Sequence, residues 1–101
     1  VEIVKNSTSN AVIIPSGRID MSNSHILKEK LLELFNDGYT VISVDFTNVA
    51  GIDSSGLGKL LLFQKKLKEK DGELIIKNVN NEYIKKMFQM IHLDKVIKIE
   101  N

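Results

Sequence analysis

The sequence predicts a small α/β domain, a mixed β-sheet with helices packed against it, in the order β-β-α-β-α-β-α-β. Three observations carry that prediction. Short runs of branched aliphatic residues recur along the chain, three stretches between them carry apolar residues at helical spacing, and Gly, Asn and Asp clusters separate the two kinds of segment.

Each element follows in turn. Val1 to Val4 alternates apolar and polar residues, Asn6 to Asn10 is a polar turn, and Ala11 to Ile14 is a second apolar run ended by Pro15 and Gly17. The pair reads as a hairpin. Asp20, Ser22 and Asn23 offer side-chain oxygens before a helical pattern, as a helix N-terminus requires. Leu27, Leu31, Leu34 and Phe35 share one arc of that helix, away from Lys28, Glu29 and Glu33, and Gly38 is placed to end it in a left-handed cap.

Val41 to Phe46, apolar and lying between two helices, reads as a buried parallel strand. After Asn48 and Gly51, the segment Ile52-Asp53-Ser54-Ser55-Gly56-Leu57-Gly58 opens a second helix, with Leu57, Leu60, Leu61, Phe63 and Leu67 on a broad inner face. Asp71-Gly72 ends it and Leu74 to Lys77 is a further strand. Asn80 or Asn81 caps a third helix whose Tyr83, Ile84, Met87, Phe88 and Ile91 share a face. His92, Leu93 and Asp94 break that helix, and Val96 to Ile99 forms the last strand.

Bulk composition narrows function. A chain of 101 residues has room for one domain, residues 1–101, and for one core without a deep lidded cavity. With 14 basic and 13 acidic residues, the balance gives no basic excess for a nucleic-acid backbone, and Lys65 to Lys70 reads as a solvated helix face. There is no cysteine, so no disulfide or thiolate metal site is available. No apolar run approaches a membrane span and the N-terminus has no signal-peptide pattern, so a cytoplasmic protein without membrane contact is expected. Neither a cofactor nor a metal is expected, and a monomer is.

The chemistry concentrates at Asp53-Ser54-Ser55-Gly56, where a strand gives way to a helix. Free amides and the positive end of the helix dipole suit an oxyanion there, although composition alone favours the plainer role of a helix N-cap for Asp53, Ser54 or Ser55. A P-loop fails on spacing: Gly51 and Gly56 have the right gap, but Leu57 and Gly58 stand where Lys and Ser/Thr are required. A Gly-x-Ser-x-Gly elbow fails too, since Ile52 precedes Ser54 by two places, and a triad would have to recruit His25 or His92.

The remaining reading is a serine modified by another protein. A phosphoryl group adds roughly −1.5 to −2 charges, which helix-terminal amides would tolerate. A partner carboxylate at about 4 Å would be repelled by about 4 kcal/mol at an effective dielectric of about 20. That is close to a thousandfold in affinity, enough for a switch. Composition does not separate Ser54 from Ser55.

The segment Asp53-Ser54-Ser55-Gly56-Leu57-Gly58 resembles the signature of anti-sigma factor antagonists, bacterial members of the STAS domain family. Gly17-Arg18-Ile19-Asp20 resembles the Gly-x-Leu/Ile-Asp turn of that family, and Val44-Asp45-Phe46-Thr47-Asn48-Val49 its strand before the serine loop. Ile84-Lys85-Lys86-Met87-Phe88 through Leu93, with Val96-Ile97, resembles its third helix and last strand. The resemblance implies a STAS-like fold and a binding protein without enzymatic activity. Ser54 would be the phosphoacceptor. The unphosphorylated form would bind an anti-sigma factor that is also a serine kinase, freeing a sigma factor, and a serine phosphatase would reset the modified form.

Asp20 would contact the partner or position the loop, with a helix cap as the open alternative. Asp53 would orient the hydroxyl or cap the helix, and Ser55 belongs to the same loop. Gly56 and Gly58 would admit the partner's backbone, with Gly58 equally a packing glycine. Leu62 points away from the inner arc and is either a partner contact, packed on a neighbouring helix, or simply exposed. The chain ends soon after the last strand, so the extra terminal helix of some family members is not expected. The rival reading is a STAS module that is not phosphorylated and binds a nucleotide or lipid, or serves a transporter or stress complex. The intact Ser54 counts against it.

Overall fold

The computed structural model describes all residues from Val1 to Asn101. Its elements are β1 (Glu2–Lys5), β2 (Asn10–Ile14), β3 (Ser16–Ile19), α1 (Ser24–Asn36), β4 (Val41–Asp45), β5 (Asn48–Ile52), α2 (Ser54–Lys68), β6 (Glu73–Lys77), α3 (Glu82–Met90), a 3-10 turn (Leu93–Lys95) and β7 (Lys98–Glu100). The expected order is present, with two short strands added: β3 and β5.

Five strands form the main sheet in the order β1-β2-β4-β6-β7. The β1-β2 hairpin is antiparallel and every other neighbour is parallel, as crossover helices require. Residues paired across parallel strands point the same way. The rows Ala11–Ile42–Leu74 and Ile13–Val44–Ile76 therefore share one face, and all six side chains are buried. Helix α1 packs on β2 and α2 on β6, in contact with each other. Leu31 and Leu34 of α1 and Leu60, Phe63 and Leu67 of α2 complete this core. At the helix–helix seam Phe35 meets Phe63 edge-on at 6.4 Å.

Pro15 is buried between β2 and β3, where the chain leaves the main sheet. β3 then pairs in parallel with β5 in a separate two-stranded sheet. The sequence marks the end of a strand at Pro15 and predicts no separate strand at Ser16–Ile19 or at Asn48–Ile52. Neither segment has the run of apolar residues that marks a buried strand, and each is stabilised by the other.

The C-terminal end of α1 and the start of α3 follow local chemistry. Gly38 has φ +94°, and the Tyr39 amide reaches back to the Leu34 carbonyl at 3.1 Å, the expected left-handed cap of α1. Asn81 caps α3 by accepting the Ile84 amide at 3.1 Å, and its Nδ2 donates to the Ala50 carbonyl, joining α3 to β5. The start of α1 departs from expectation. The side chain of Asn23, at the cap position, accepts no helix amide; its Oδ1 takes the Asp20 amide and its Nδ2 donates to the Arg18 carbonyl.

The faces of the later helices are narrower than expected. Ile84 and Phe88 are buried in α3, and Phe88 lies edge-on to Phe46 at 5.8 Å. Tyr83 is 86% exposed and Ile91 47%, so neither belongs to the core. Leu61 of α2 is 37% exposed. The last strand starts at Lys98 instead of Val96, which is exposed after the 3-10 turn. Gln64, buried on α2, joins three segments: its Oε1 accepts the Leu74 amide and its Nε2 donates to the Val96 carbonyl, both at 2.8 Å. No helix is long and apolar enough to cross a membrane.

Candidate functional site

The small second sheet builds the site. Because β3 and β5 run parallel with Ile19 opposite Ile52, their C-terminal ends emerge side by side, and Asp20 and Asp53 begin neighbouring loops. The Asp53 amide continues the ladder to the Ile19 carbonyl at 3.0 Å. Pairing between these two short strands thus brings the two acidic positions together.

Asp53 is the N-cap of α2. Its Oδ1 accepts the Ser55 amide at 2.9 Å, the Gly56 amide at 3.1 Å and the Ser55 hydroxyl at 2.6 Å. Its Oδ2 accepts the Met21 amide at 3.1 Å. One carboxylate therefore satisfies the start of the helix and ties down the loop that follows β3. The Ser55 hydroxyl, then the Gly56 amide, hold the Asp53 carboxyl below the usual range, aided by the Met21 and Ser55 amides.

The two serines differ in kind. Ser55 is half-buried and its hydroxyl is folded back onto Asp53. Ser54, the first residue of α2, is exposed, and its hydroxyl makes no hydrogen bond within the chain. The helix amides are not vacant as the sequence suggested. Asp53 holds those of Ser55 and Gly56, and its own amide is paired with Ile19, leaving that of Ser54.

Asp20 does not cap α1 through its side chain. Its Oδ1 accepts the Ser22 amide and hydroxyl, and its backbone carbonyl accepts the Asn23 and Ser24 amides. Asp20, Ser22 and Asn23 therefore stiffen a turn instead of feeding the helix.

The glycines also separate. A Cβ on Gly56 would stand 2.6 Å from Ile19 Cγ2 and 2.9 Å from Ile52 Cγ1, so packing inside the chain by itself requires glycine at this buried position. Gly58 is exposed with nothing within 4 Å of where its Cβ would be, which removes its packing alternative. Leu62, one turn beyond Gly58, is 39% exposed. Ser54, Gly58, Leu61, Leu62 and Lys65 are all exposed at helical spacing along α2.

Sequence reading did not single out Met21. It is 81% exposed, a large apolar side chain between Asp20 and Ser22, and that isolation in a polar run was the available signal. The histidines stand apart in character: His25 is exposed on the first turn of α1, and His92 is the left-handed residue after α3. Neither bonds Ser54. No group of three or more His, Asp and Glu side chains is placed to hold a metal.

The chain is 28% identical over 101 residues to the anti-sigma-B factor antagonist of Listeria monocytogenes, covering 100% of this chain and 88% of that protein. The anti-sigma-B factor antagonist of Bacillus subtilis is 28% identical over 96 residues, covering 95% and 86%. The fold is that of the Bacillus anti-sigma factor antagonist SpoIIAA. In its unphosphorylated form the TM-score is 0.77 at 22% identity, covering 99% of this chain and 86% of that one. In its phosphorylated form the values are 0.76, 23%, 99% and 90%. With the STAS domain family model matching residues 2–101, from the first strand to the last residue, this chain belongs to the STAS domain family.

Proposed function

We propose that this protein is an anti-sigma factor antagonist that works as a phosphorylation-controlled binding switch. Unphosphorylated, it binds an anti-sigma factor with serine kinase activity and so frees a sigma factor. Phosphorylation of Ser54 ends that binding, and a serine phosphatase restores it. The single observation that carries this reading is the contrast at the start of α2, where Ser54 is exposed with a free hydroxyl beside a Ser55 engaged by Asp53. Relatives named as anti-sigma-B factor antagonists support the partner class, and SpoIIAA, solved in a phosphorylated form, supports modification.

In this reading the chemistry belongs to the partner. The Ser54 oxygen attacks the γ-phosphorus of ATP, the bond to the ADP oxygen breaks, and the hydroxyl proton leaves to a base on the kinase. This chain supplies a nucleophile at a rigid helix start and a docking surface. We assign that surface to the exposed α2 residues Gly58 and Leu62 and to the Asp20 turn. The new phosphate charge adds to the fixed charge of Asp53, so a partner that tolerated one carboxylate meets a much stronger negative field.

The test is intact-mass analysis after incubation with ATP and the anti-sigma kinases of the source organism, beside Ser54→Ala. A gain of one phosphoryl group that is lost in the variant is the expected result. No gain with any kinase removes the proposal, and a gain retained in the variant moves the site to Ser55 or elsewhere.

A further inference from the structure

Two adjacent serines begin α2, and a kinase that reached one would have the other one residue away. We infer that Asp53 is the residue that decides between them: it withdraws the Ser55 hydroxyl and leaves Ser54 as the one serine open to phosphoryl transfer. The inference rests on the proposed function and adds the determinant of its specificity.

The argument is geometric. The Ser55 hydroxyl donates to Asp53 Oδ1 at 2.6 Å, a short contact to an ionised acceptor and hence a strong bond. That carboxylate cannot swing away to release it, because three amides hold it from two directions. Ser55 and Gly56 bind Oδ1, and Met21 binds Oδ2 from the neighbouring loop. Ser55 is also half-buried, whereas Ser54 is exposed. To attack phosphorus, the Ser55 oxygen would have to break its bond to Asp53 and rotate outward, whereas Ser54 has no such bond to break.

A carboxylate bonded to a hydroxyl can also activate it as a general base. The same hydrogen bonds argue against that role here. They stabilise the ionised form of Asp53 and hold its carboxyl low, which makes it a poor proton acceptor. The contact therefore restrains Ser55 instead of activating it.

The test uses the full chain, ATP and the kinase that modifies the wild type, with the modified residue located by fragmentation mass spectrometry. In the wild type Ser55 should carry less than a tenth of the phosphoryl groups, and Ser54→Ala should be nearly silent. Removing the restraint in Asp53→Ala/Ser54→Ala should raise modification of Ser55 at least tenfold over Ser54→Ala. Asp53→Gly/Ser54→Ala should do the same, since glycine caps a helix far better than alanine does. Asp53→Asn/Ser54→Ala keeps a carbonyl oxygen for the hydroxyl and should stay nearly silent. Melting curves confirm that each variant is folded. Double variants as silent as Ser54→Ala, or a wild type modified equally on both serines, overturn the inference while leaving the switch intact. A wild type that no kinase modifies removes the switch and the inference with it.

Discussion

The amide of Met21 donates to Asp53 Oδ2 at 3.1 Å, joining two loops that lie 32 positions apart in the chain. This contact makes the serine loop and the Asp20 turn one surface. It exists because β3 and β5 are parallel and end together, so it depends on the small second sheet as much as on the aspartate. Any change at Asp53 should be felt in both loops.

Asp53→Ala should lower the melting temperature and loosen the Met21 loop, which amide hydrogen exchange at Met21, Ser55 and Gly56 would report. The pH dependence follows from the direction of its shift. A carboxyl held below its unfolded value of about 3.9 stabilises the fold above that pH, and the contribution is lost as pH falls through the folded value. Asp45 acts in the same sense: burial opposes its charge, but the Thr47 hydroxyl and amide, with Asn78 and Lys77, keep its carboxyl low. The wild type should therefore lose stability below about pH 4. Asp53→Ala should show a smaller loss over that range, and an unchanged acid limb would mean that the Asp53 contacts do not persist in solution.

The two glycines of α2 should behave oppositely. Gly56→Ala forces a methyl against Ile19 and Ile52 and should destabilise by about 1–3 kcal/mol, as overpacking does. Gly58→Ala meets nothing and should stabilise by up to about 1 kcal/mol through helix propensity. In the proposed function, Gly58→Ala should nonetheless weaken partner binding. Chemical denaturation and a binding titration separate the two effects, and equal stability losses at both positions would contradict the packing described here.

Gln64→Leu tests the buried bridge between α2, β6 and the segment after the 3-10 turn. Leucine is close in size but leaves the Leu74 amide and Val96 carbonyl without the partner they have now. The expected cost is about 1–3 kcal/mol for each buried group left unsatisfied, read by urea denaturation. A neutral result would mean that water or a backbone shift replaces the amide.

Much of this fold was legible because strong local signals agree with the tertiary structure. Val41 to Phe46 is apolar enough to declare a buried strand, and Gly38 ends α1 where its φ of +94° requires. What escaped reading was stabilised by distant partners. Ser16-Gly17-Arg18 and Asn48 to Gly51 become strands by pairing with each other, information that no single window contains. Asn23 carries a cap residue's chemistry but spends it on Asp20 and Arg18. Tyr83 and Ile91 sit at helical spacing with Ile84 and Phe88, yet α3 turns only a narrow face inward. At the site, the motif located the loop. The difference between Ser54 and Ser55 emerged only from the position of one carboxylate.

That carboxylate also sets the energetics of the modified state. Phosphoserine placed at position 54, by direct incorporation during synthesis, would lie next to Asp53 with the Ser55 and Gly56 amides already taken. The Ser54 amide and the helix dipole favour the phosphate, while the neighbouring carboxylate opposes its second charge. Because Asp53 holds the amides that would otherwise serve the phosphate, repulsion should win. The second phosphate pKa should then lie above its ordinary value of about 6. A group whose folded pKa is raised is less costly when protonated, so the phosphoprotein should melt near the unmodified protein at pH 5 and below it at pH 8. Phosphorus NMR titration measures the pKa and thermal melting the stability. In the phosphoprotein carrying Asp53→Asn, the pKa should fall back toward 6 and the melting difference should shrink. A phosphate pKa at or below 6 with Asp53 intact would mean that the Ser54 amide and the helix dipole outweigh the carboxylate.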